Sequence, residues 1–258
     1  MHKDEPLSTR REERTAHAAI GTRTAVGTGN HESIRPSALI RQTGGTYAAE
    51  LGIDLASGAP AEVYKWFIAA VLFGAPISEA VAMRTWHEFA HASALAPRRM
   101  LDAGWDRLVE LLDHGGYTRY DFKTATKLLA INEALMQQYK GNLNALHDSA
   151  SGESDLERRV MELGKGIGAV TTNIFLRELR GVWPKADPMP SDRAIQAAKV
   201  LGFVNKSVDD PGRILQRLKE VYRKDRPRSK DFPAFEAALV RYGITLRRKG
   251  ARRSAAGV

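Results

Sequence analysis

The chain has 258 residues, 43% of them hydrophobic, which is enough apolar material for one large domain or for two lobes that share a cleft. Its 39 Lys and Arg residues exceed its 30 Asp and Glu residues, and the net charge of +9 is typical of proteins that bind phosphates, although solubility alone also explains such a charge. The absence of cysteine excludes disulfides, thiol catalysis and cysteine-held iron–sulfur clusters, and without a long apolar run or a cleavable leader we expect a cytoplasmic protein, associated with the nucleoid if bacterial.

The start of the chain is polar and charged and shows no sustained apolar period, so we predict a flexible basic tail over 1–35. The following stretch, "SALIRQTGGTYAAELGIDLASGAP", is typical of short helices broken by Gly and Pro. We predict one folded domain over 36–244. A second basic tail, which contains the run "LRRKGARR", is predicted over 245–258.

From Ala61 onward the sequence is plainly helical, and no segment shows the alternation typical of a strand. The predicted helices cover 61–74, 78–94, 97–103, 105–113, 119–139, 142–148, 155–163, 169–180, 191–201, 211–224 and 232–242. Ser78 and Ser191 are predicted N-caps. The glycines predicted at helix C-termini are Gly74, Gly164, Gly202 and Gly243. The expected fold class is therefore all-α.

One predicted helix contains the pattern H-E-x-x-H, formed by His87, Glu88 and His91, which in zinc proteases places two imidazoles on one helix face beside a general base. A catalytic zinc needs a third protein ligand, and the residues that follow, "ASALAPRR", contain none. Only a Glu that is distant in sequence could serve as the third ligand. The flanking Trp86 and Phe89 continue an apolar helix face. We therefore interpret this segment as an ordinary packed helix and expect no metal site.

The most informative stretch is "DLERRVMELGKGIGAVTTNIFLREL", residues 155–179, which predicts two short helices joined by the turn "GKGIG". Gly166 and Gly168 permit a tight turn and leave backbone N–H groups uncovered at the start of the second helix, where a phosphate oxygen is favoured. Lys165 adds a positive charge. The pattern predicts a phosphate-binding turn, and an ordinary connection between two helices is the alternative.

In this stretch and beyond it the chain resembles the helix–hairpin–helix DNA glycosylases, the superfamily that includes endonuclease III and the bacterial 3-methyladenine DNA glycosylase. The hairpin pattern L-x-G-x-G-x-x-T-x-N is present, with one extra residue before the first glycine, as Leu163, Gly166, Gly168, Thr171 and Asn173. Family members carry a catalytic Asp at the start of a later helix, and Asp192 in "PMPSDRAIQAAKVLGF" corresponds to it. The similarity extends roughly over 61–244 and implies a two-lobed helical bundle with a DNA-binding cleft between the lobes.

Several departures from the family pattern affect what the resemblance implies. Val170 occupies the position where bifunctional members carry a Schiff-base Lys, so lyase chemistry by that route is not expected. Members with an iron–sulfur cluster have four C-terminal cysteines, which this chain lacks. Ala75 corresponds to a Gln that many members insert into the DNA stack. The spacing from the hairpin to Asp192 is slightly long, which leaves Asp187 as an alternative catalytic residue.

The resemblance implies a monofunctional DNA N-glycosylase of base-excision repair. The residues fit that chemistry, because a carboxylate beside the sugar stabilises the positive charge that develops as the glycosidic bond breaks. Asp192 is the expected catalytic residue. The expected DNA contacts are Lys165, Gly166, Gly168 and Thr171. The candidate pocket residues are Tyr117, Tyr120, Trp183 and Asp187. We expect a monomer that binds double-stranded DNA without a cofactor, with a cation at the hairpin left open. The alternatives are a non-catalytic protein that binds lesions or distorted duplex, and a residual lyase activity that uses Lys165 or another amine.

Overall fold

The computed structural model describes residues 34–226 and 231–256, with side chains as far as Arg247, and the regular structure in this part of the chain is helical. The helices are α1 (Pro36–Thr43), α2 (Tyr47–Glu50), α3 (Pro60–Phe73), α4 (Glu79–His91), α5 (Pro97–His114), α6 (Asp121–Tyr139), α7 (Leu143–Ser149), α8 (Glu153–Glu162), α9 (Ala169–Glu178), α10 (Asp192–Val200), α11 (Pro211–Asp225) and α12 (Phe232–Ala256). No strand occurs in the described residues, which confirms the all-α fold class. None of these helices combines the length and the apolar character that a membrane span requires.

Most helix ends follow the local signals in the sequence. The Ser78 and Ser191 hydroxyl oxygens accept hydrogen bonds from backbone N–H groups at 3.3 and 3.4 Å, which confirms both predicted N-caps. The predicted break between two helices near 104 is also confirmed, because Gly104 adopts a φ of 72° and kinks α5. The predicted tail over 1–35 lies almost entirely outside the described residues, and the domain limits at 36 and 244 stay predictions.

Two clusters of buried hydrophobic side chains hold the helices together. The larger cluster, here called core A, is built from residues between 47 and 186, with Ala237 of α12. The smaller cluster, core B, combines Leu39 of α1 with side chains of α10, α11 and α12. Burial of apolar surface contributes about 25 cal/mol per Å² in each. Since α12 contributes to both clusters, it links core A to core B.

Helix α9 is anchored in core A along one face. Phe175 is fully buried and packs edge-on against Phe67, with 5.0 Å between the ring centres. The indole N–H of Trp66 donates a hydrogen bond to the Phe175 carbonyl at 3.0 Å. Burying a side chain of this size contributes about 1.5–3 kcal/mol. These contacts hold α9 in a fixed position, and with it the side chains on the opposite face of the helix.

The end predicted for the last helix, at 242, is wrong because α12 continues to Ala256. Gly243 was predicted to follow the helix, yet it lies inside it. A Cβ at position 243 would lie 2.4 Å from the Arg193 carbonyl oxygen, so the glycine is needed where α12 crosses the start of α10. Part of the predicted basic tail over 245–258 is therefore helical, as far as Ala256.

Candidate nucleic-acid interface

A cavity of about 1060 Å³ is lined by α2, the segment 73–79, α8, α9, the segment 189–193 and α12. On α9 the lining residues Val170, Asn173, Ile174 and Arg177 recur every three or four positions, so they share one helix face. Seven residues of α-helix rise about 10 Å, and this face therefore runs inward from the exposed Val170 to the buried Arg177. Ligand pockets usually enclose about 300–1,000 Å³, so this cavity has room for a nucleotide.

The turn between α8 and α9 leaves the start of α9 open. Gly166 adopts a φ of 93°, a conformation that favours glycine. Gly168 has an ordinary φ, nothing lies within 4 Å of a Cβ added there, and no side chain caps α9. The first N–H groups of α9 are therefore uncovered, as a backbone phosphate site requires.

Two lysines flank this turn. Lys165 is exposed and forms no ion pair with the described residues. The half-buried Lys127 of α6 lies over the turn, since a Cβ at Gly166 would be 3.0 Å from its Cε atom. Burial lowers the pKa of the Lys127 amine below its ordinary value. Local sequence does not single out Lys127, which is far from the turn along the chain.

Thr171, an expected DNA contact, lies below the surface. It is only 5% exposed, and a Cβ at Gly74 would lie 2.1 Å from the Thr171 Oγ1 atom. Its side chain therefore fills the contact between α9 and the end of α3. Of the expected DNA contacts, the structure places Lys165, Gly166 and Gly168 at the exposed turn, and it does not place the Thr171 hydroxyl there.

Asp192 is the first residue of α10 and lines the cavity. The hydroxyl of Ser191 caps this helix, so Asp192 is not needed as a cap. The Asp192 side chain is exposed and has no hydrogen bond or ion pair with any described residue. Its carboxylate is therefore available to a ligand.

Asp187, the alternative catalytic residue, is held in ion pairs. Its carboxylate pairs with Arg180 and, at 2.6 Å, with Lys219. Arg180 in turn pairs with the buried Glu236 at 2.9 Å. Asp187 does not line the cavity. Between the two aspartates that the sequence left open, the structure therefore places only Asp192 in the cavity.

Asn173 of the hairpin pattern positions the segment that leads to Asp192. Its side-chain amide donates a hydrogen bond to the Met189 carbonyl at 2.7 Å, and Arg180 donates to the neighbouring Pro188 carbonyl. These two bonds attach the segment before α10 to α9. The pattern residue Asn173 therefore holds the backbone three residues before Asp192.

Val170 and Ala75 occupy two positions at which the chain departs from the glycosylase pattern, and both line the same cavity as Asp192. Val170 is 64% exposed on the first turn of α9. Neither side chain carries an amine or an amide. The cavity therefore lacks an amine at the position where a Schiff base forms in bifunctional family members.

The expected aromatic pocket residues lie elsewhere. Tyr117 is 1% exposed and donates a hydrogen bond to the Leu72 carbonyl at 3.2 Å. Trp183 is 4% exposed and donates to Asn144 at 2.9 Å. Tyr120 packs against core A. None of the three lines the cavity, and Tyr47 and Phe73 supply its aromatic wall.

Tyr47 and Arg177 form an inner wall that local sequence patterns do not indicate. The Tyr47 hydroxyl donates a hydrogen bond to Glu79 at 2.5 Å, and the Arg177 Cζ atom lies 5.4 Å from the centre of the Tyr47 ring. Burial, followed by the charge of Glu79, raises the pKa of the Tyr47 phenol, which therefore keeps the proton that it donates. The contacts join parts of the chain that are distant in sequence.

The histidines of the H-E-x-x-H pattern lie on the exposed side of α4. The His87 and His91 rings are stacked with 6.4 Å between their centres. Residues 34–226 and 231–247 contain no group of three side chains placed to hold a metal ion. The geometry of the described residues gives no support to the zinc-protease interpretation.

Comparison with family models, with curated proteins and with solved structures found no match to this chain. The resemblance to the helix–hairpin–helix glycosylases therefore stays a prediction from sequence patterns. Since a fold alone does not specify an activity, the function has to be argued from the cavity and its side chains.

Proposed function

We propose that the protein is a monofunctional DNA N-glycosylase of base-excision repair that acts as a monomer on double-stranded DNA. One observation carries the proposal: the carboxylate of Asp192, which has no partner among the described residues, lines the same cavity as Val170. Val170 lies on the first turn of α9, directly after the open hairpin. A phosphate-binding turn and a free carboxylate beside one nucleotide-sized cavity are the parts that base excision requires.

DNA binding is assigned to the hairpin. The uncovered N–H groups at the start of α9 donate hydrogen bonds to the oxygens of one phosphate, and Lys165 and Lys127 add positive charge around it. In this proposal core A and core B are the two lobes, and DNA lies in the cleft that leads to the cavity. The phosphate contacts offset the cost of pulling one nucleotide out of the base stack.

Asp192 supplies the chemical step. As the bond from C1′ to the base breaks, its electron pair leaves with the base and the sugar becomes positively charged, which a nearby carboxylate stabilises. Asp192 also orients and deprotonates the water whose oxygen bonds to C1′, and the departing base takes up a proton. The products are the free base and an abasic site.

The reaction ends at the abasic site because position 170 is Val and offers no amine to the sugar. Lys165, the amine considered for a residual lyase, is on the exposed turn and does not line the cavity. We therefore expect borohydride to trap no covalent complex between the protein and DNA.

The test is base release from labelled duplexes that carry a panel of lesions and mismatches, followed by alkali so that abasic products are cut. We expect the wild type to release at least one base and Asp192→Asn to lose about 100-fold or more of that rate. The matched control is Asp187→Asn, which weakens an ion-pair network but keeps the cavity carboxylate, so it retains the activity below its own melting temperature. Activity lost in Asp187→Asn and kept in Asp192→Asn would contradict the assignment.

Binding to every duplex without release from any would instead favour the non-catalytic alternative, a protein that recognises lesions or distorted DNA. In that case Asp192→Asn would leave the affinity for DNA unchanged or raise it slightly, because a negative charge near phosphates is removed.

A further inference from the structure

Arg177 is buried in the cavity wall beside the Tyr47 ring, without a hydrogen-bond or ion-pair partner among the described residues. Three buried side-chain polar atoms among the described residues lack a hydrogen-bond partner, and two of them, Arg177 Nε and Thr172 Oγ1, belong to residues that line the cavity. Arg177 is 5% exposed, and it forms no ion pair with any described carboxylate. A buried charge is normally paired, so this arrangement indicates a group that a ligand completes.

The guanidinium of Arg177 offers only donors. Its Nε atom is sealed from solvent, so the two terminal nitrogens are the ones that a molecule in the cavity can reach. A guanidinium is a planar fork of N–H groups and has no acceptor. The ligand must therefore present an acceptor, such as a carbonyl oxygen, at this end of the cavity.

Glu79 provides the complementary group. One of its carboxylate oxygens accepts the hydrogen bond from Tyr47, and the other has no partner among the described residues. Arg177 and Glu79 both contact the same tyrosine, so a donor fork and an acceptor stand around one aromatic ring. Phe73 lies beside this ring at a tilt of 59°, with 5.3 Å between the ring centres, and the Arg241 guanidinium lies 4.0 Å from the centre of the Tyr47 ring. The recognition is therefore argued from Arg177 and Glu79, which suit a ligand edge that carries both an acceptor and a donor.

We propose that the cavity recognises a base by its lactam edge, with Arg177 donating to the carbonyl oxygen and Glu79 accepting the adjacent ring N–H. The inference rests on the proposed glycosylase function and names its substrate class, bases such as hypoxanthine and uracil. Adenine-type bases present the reverse pattern, an amino group and a ring-nitrogen lone pair, which would face donors and a carboxylate respectively. They are therefore rejected.

Normal guanine and thymine carry the same edge, and base pairing keeps them out of the cavity. A well-paired base costs more to extract from the duplex than a mismatched or damaged one. The discrimination by Arg177 and Glu79 acts after extraction, and it selects among the bases that already leave the stack readily.

The experiment measures binding of the full chain to two duplexes that differ only in the target base, hypoxanthine or adenine. Each base is attached to a 2′-fluoro sugar, which disfavours the positive charge of bond breaking and so prevents release. Each is placed opposite the same abasic analogue, so that pairing does not differ. We expect the wild type to prefer the hypoxanthine duplex by about tenfold or more, because a site built on hydrogen bonds rejects a base that leaves them unmade.

Arg177→Met should reduce this preference to about onefold. The matched control is Arg193→Met, which removes an exposed arginine of the same cavity and should weaken binding to both duplexes equally, leaving the preference intact. Arg177→Lys, which keeps the charge but loses the planar fork, replaces Arg177→Met if that variant does not fold, and it should lose most of the preference.

Equal wild-type affinity for the two duplexes, or an unchanged preference in Arg177→Met, would overturn the inference. Its failure is distinguishable from failure of the proposed function. Base release without the preference leaves the glycosylase standing and removes the role of Arg177. The preference without base release from any duplex removes the glycosylase and keeps the cavity as a site for lactam bases.

Discussion

Arg177 and Arg180 lie three positions apart and are 5% and 7% exposed, yet their surroundings are opposite. Arg180 pairs with Glu236 at 2.9 Å and also with Asp187. Arg177 has no carboxylate at ion-pair distance among the described residues. A buried positive charge can therefore stabilise the fold or bind a ligand, and the partners that it has among the described residues distinguish the two cases.

The surroundings of Arg180 and of Arg177, here called the Arg180 region and the Arg177 region, contribute differently to the site. The Arg180 region attaches α9 to α12 and fixes the backbone that ends at Asp192, whereas the Arg177 region leaves donors unused inside the cavity. The first is complete without a ligand and the second is not. Substitutions in the first region should therefore reduce stability, and substitutions in the second should reduce recognition.

The largest effect is expected for Glu236→Ala. The change leaves the guanidinium of Arg180 buried without its main partner, and breaking a buried pair in this way costs about 3–5 kcal/mol of unfolding free energy. Urea unfolding followed by circular dichroism measures it. The double variant Arg180→Met with Glu236→Leu should recover most of the loss, because no charge then remains buried. A loss as small as that of a surface substitution would show that the pair is not structural.

A smaller loss, about 1–3 kcal/mol, is expected for Gly243→Ala, because the new Cβ would lie 2.4 Å from the backbone oxygen of Arg193 and force α12 away from α10. The matched control is Gly212→Ala in α11, where the added Cβ meets only an Asp210 side-chain oxygen at 3.4 Å. That variant should gain about 0.5–1 kcal/mol from helix propensity. Thermal melts of the two variants should therefore shift in opposite directions.

Arg177→Met should change the unfolding free energy by no more than about 1 kcal/mol. The Arg177 side chain forms no hydrogen bond with the described residues, and the substitution removes its buried Nε–H group, which has no acceptor there. The measurement is urea unfolding at pH 5, beside Glu236→Ala. A loss as large as that of Glu236→Ala would place Arg177 with the structural arginines and would remove the contrast between the two regions.

The pH dependence of stability involves Glu178, which is buried beside Arg177. Burial raises the pKa of its carboxyl above the ordinary 4.5, and the charge of Arg177 partly opposes the rise. The stability that this group contributes is therefore present below pH 4.5 and is lost as the pH rises through the raised value. Relative to the wild type, Glu178→Gln should become more stable as the pH increases from 4.5 to 7.5. Arg177→Met should show the opposite trend.

The sequence predicts the parts of this molecule that depend on local chemistry. Helix periodicity, the caps Ser78 and Ser191 and the kink at Gly104 are all set by neighbouring residues. The hairpin glycines are indicated in the same way, because a turn is a local event, whereas Asp192 is indicated by the resemblance to the glycosylases. Their positions beside one cavity are consistent with that interpretation.

The rest depends on contacts between distant segments, which a single sequence does not display. In "LRELR" the two arginines look equivalent, and only the approach of Glu236 from α12 distinguishes Arg180 from Arg177. Gly243 resembles a helix cap until the backbone of Arg193 is found against it. Tyr47 belongs to a stretch interpreted only as broken short helices, and it becomes a cavity wall because α9 packs beside it.

Hydrogen exchange at two backbone amides of the short helix α2 reports on opening of the cavity wall. The backbone N–H groups of Tyr47 and Ala48 both donate to the buried carboxylate of Glu178, each at 2.9 Å. These amides can exchange with deuterium only when α2 separates from α9, which also opens the wall that Tyr47 forms. A base bound in the cavity should slow the exchange at these two positions while leaving the amides of α11 unchanged. Site-resolved exchange therefore measures occupancy of the cavity without any chemical turnover.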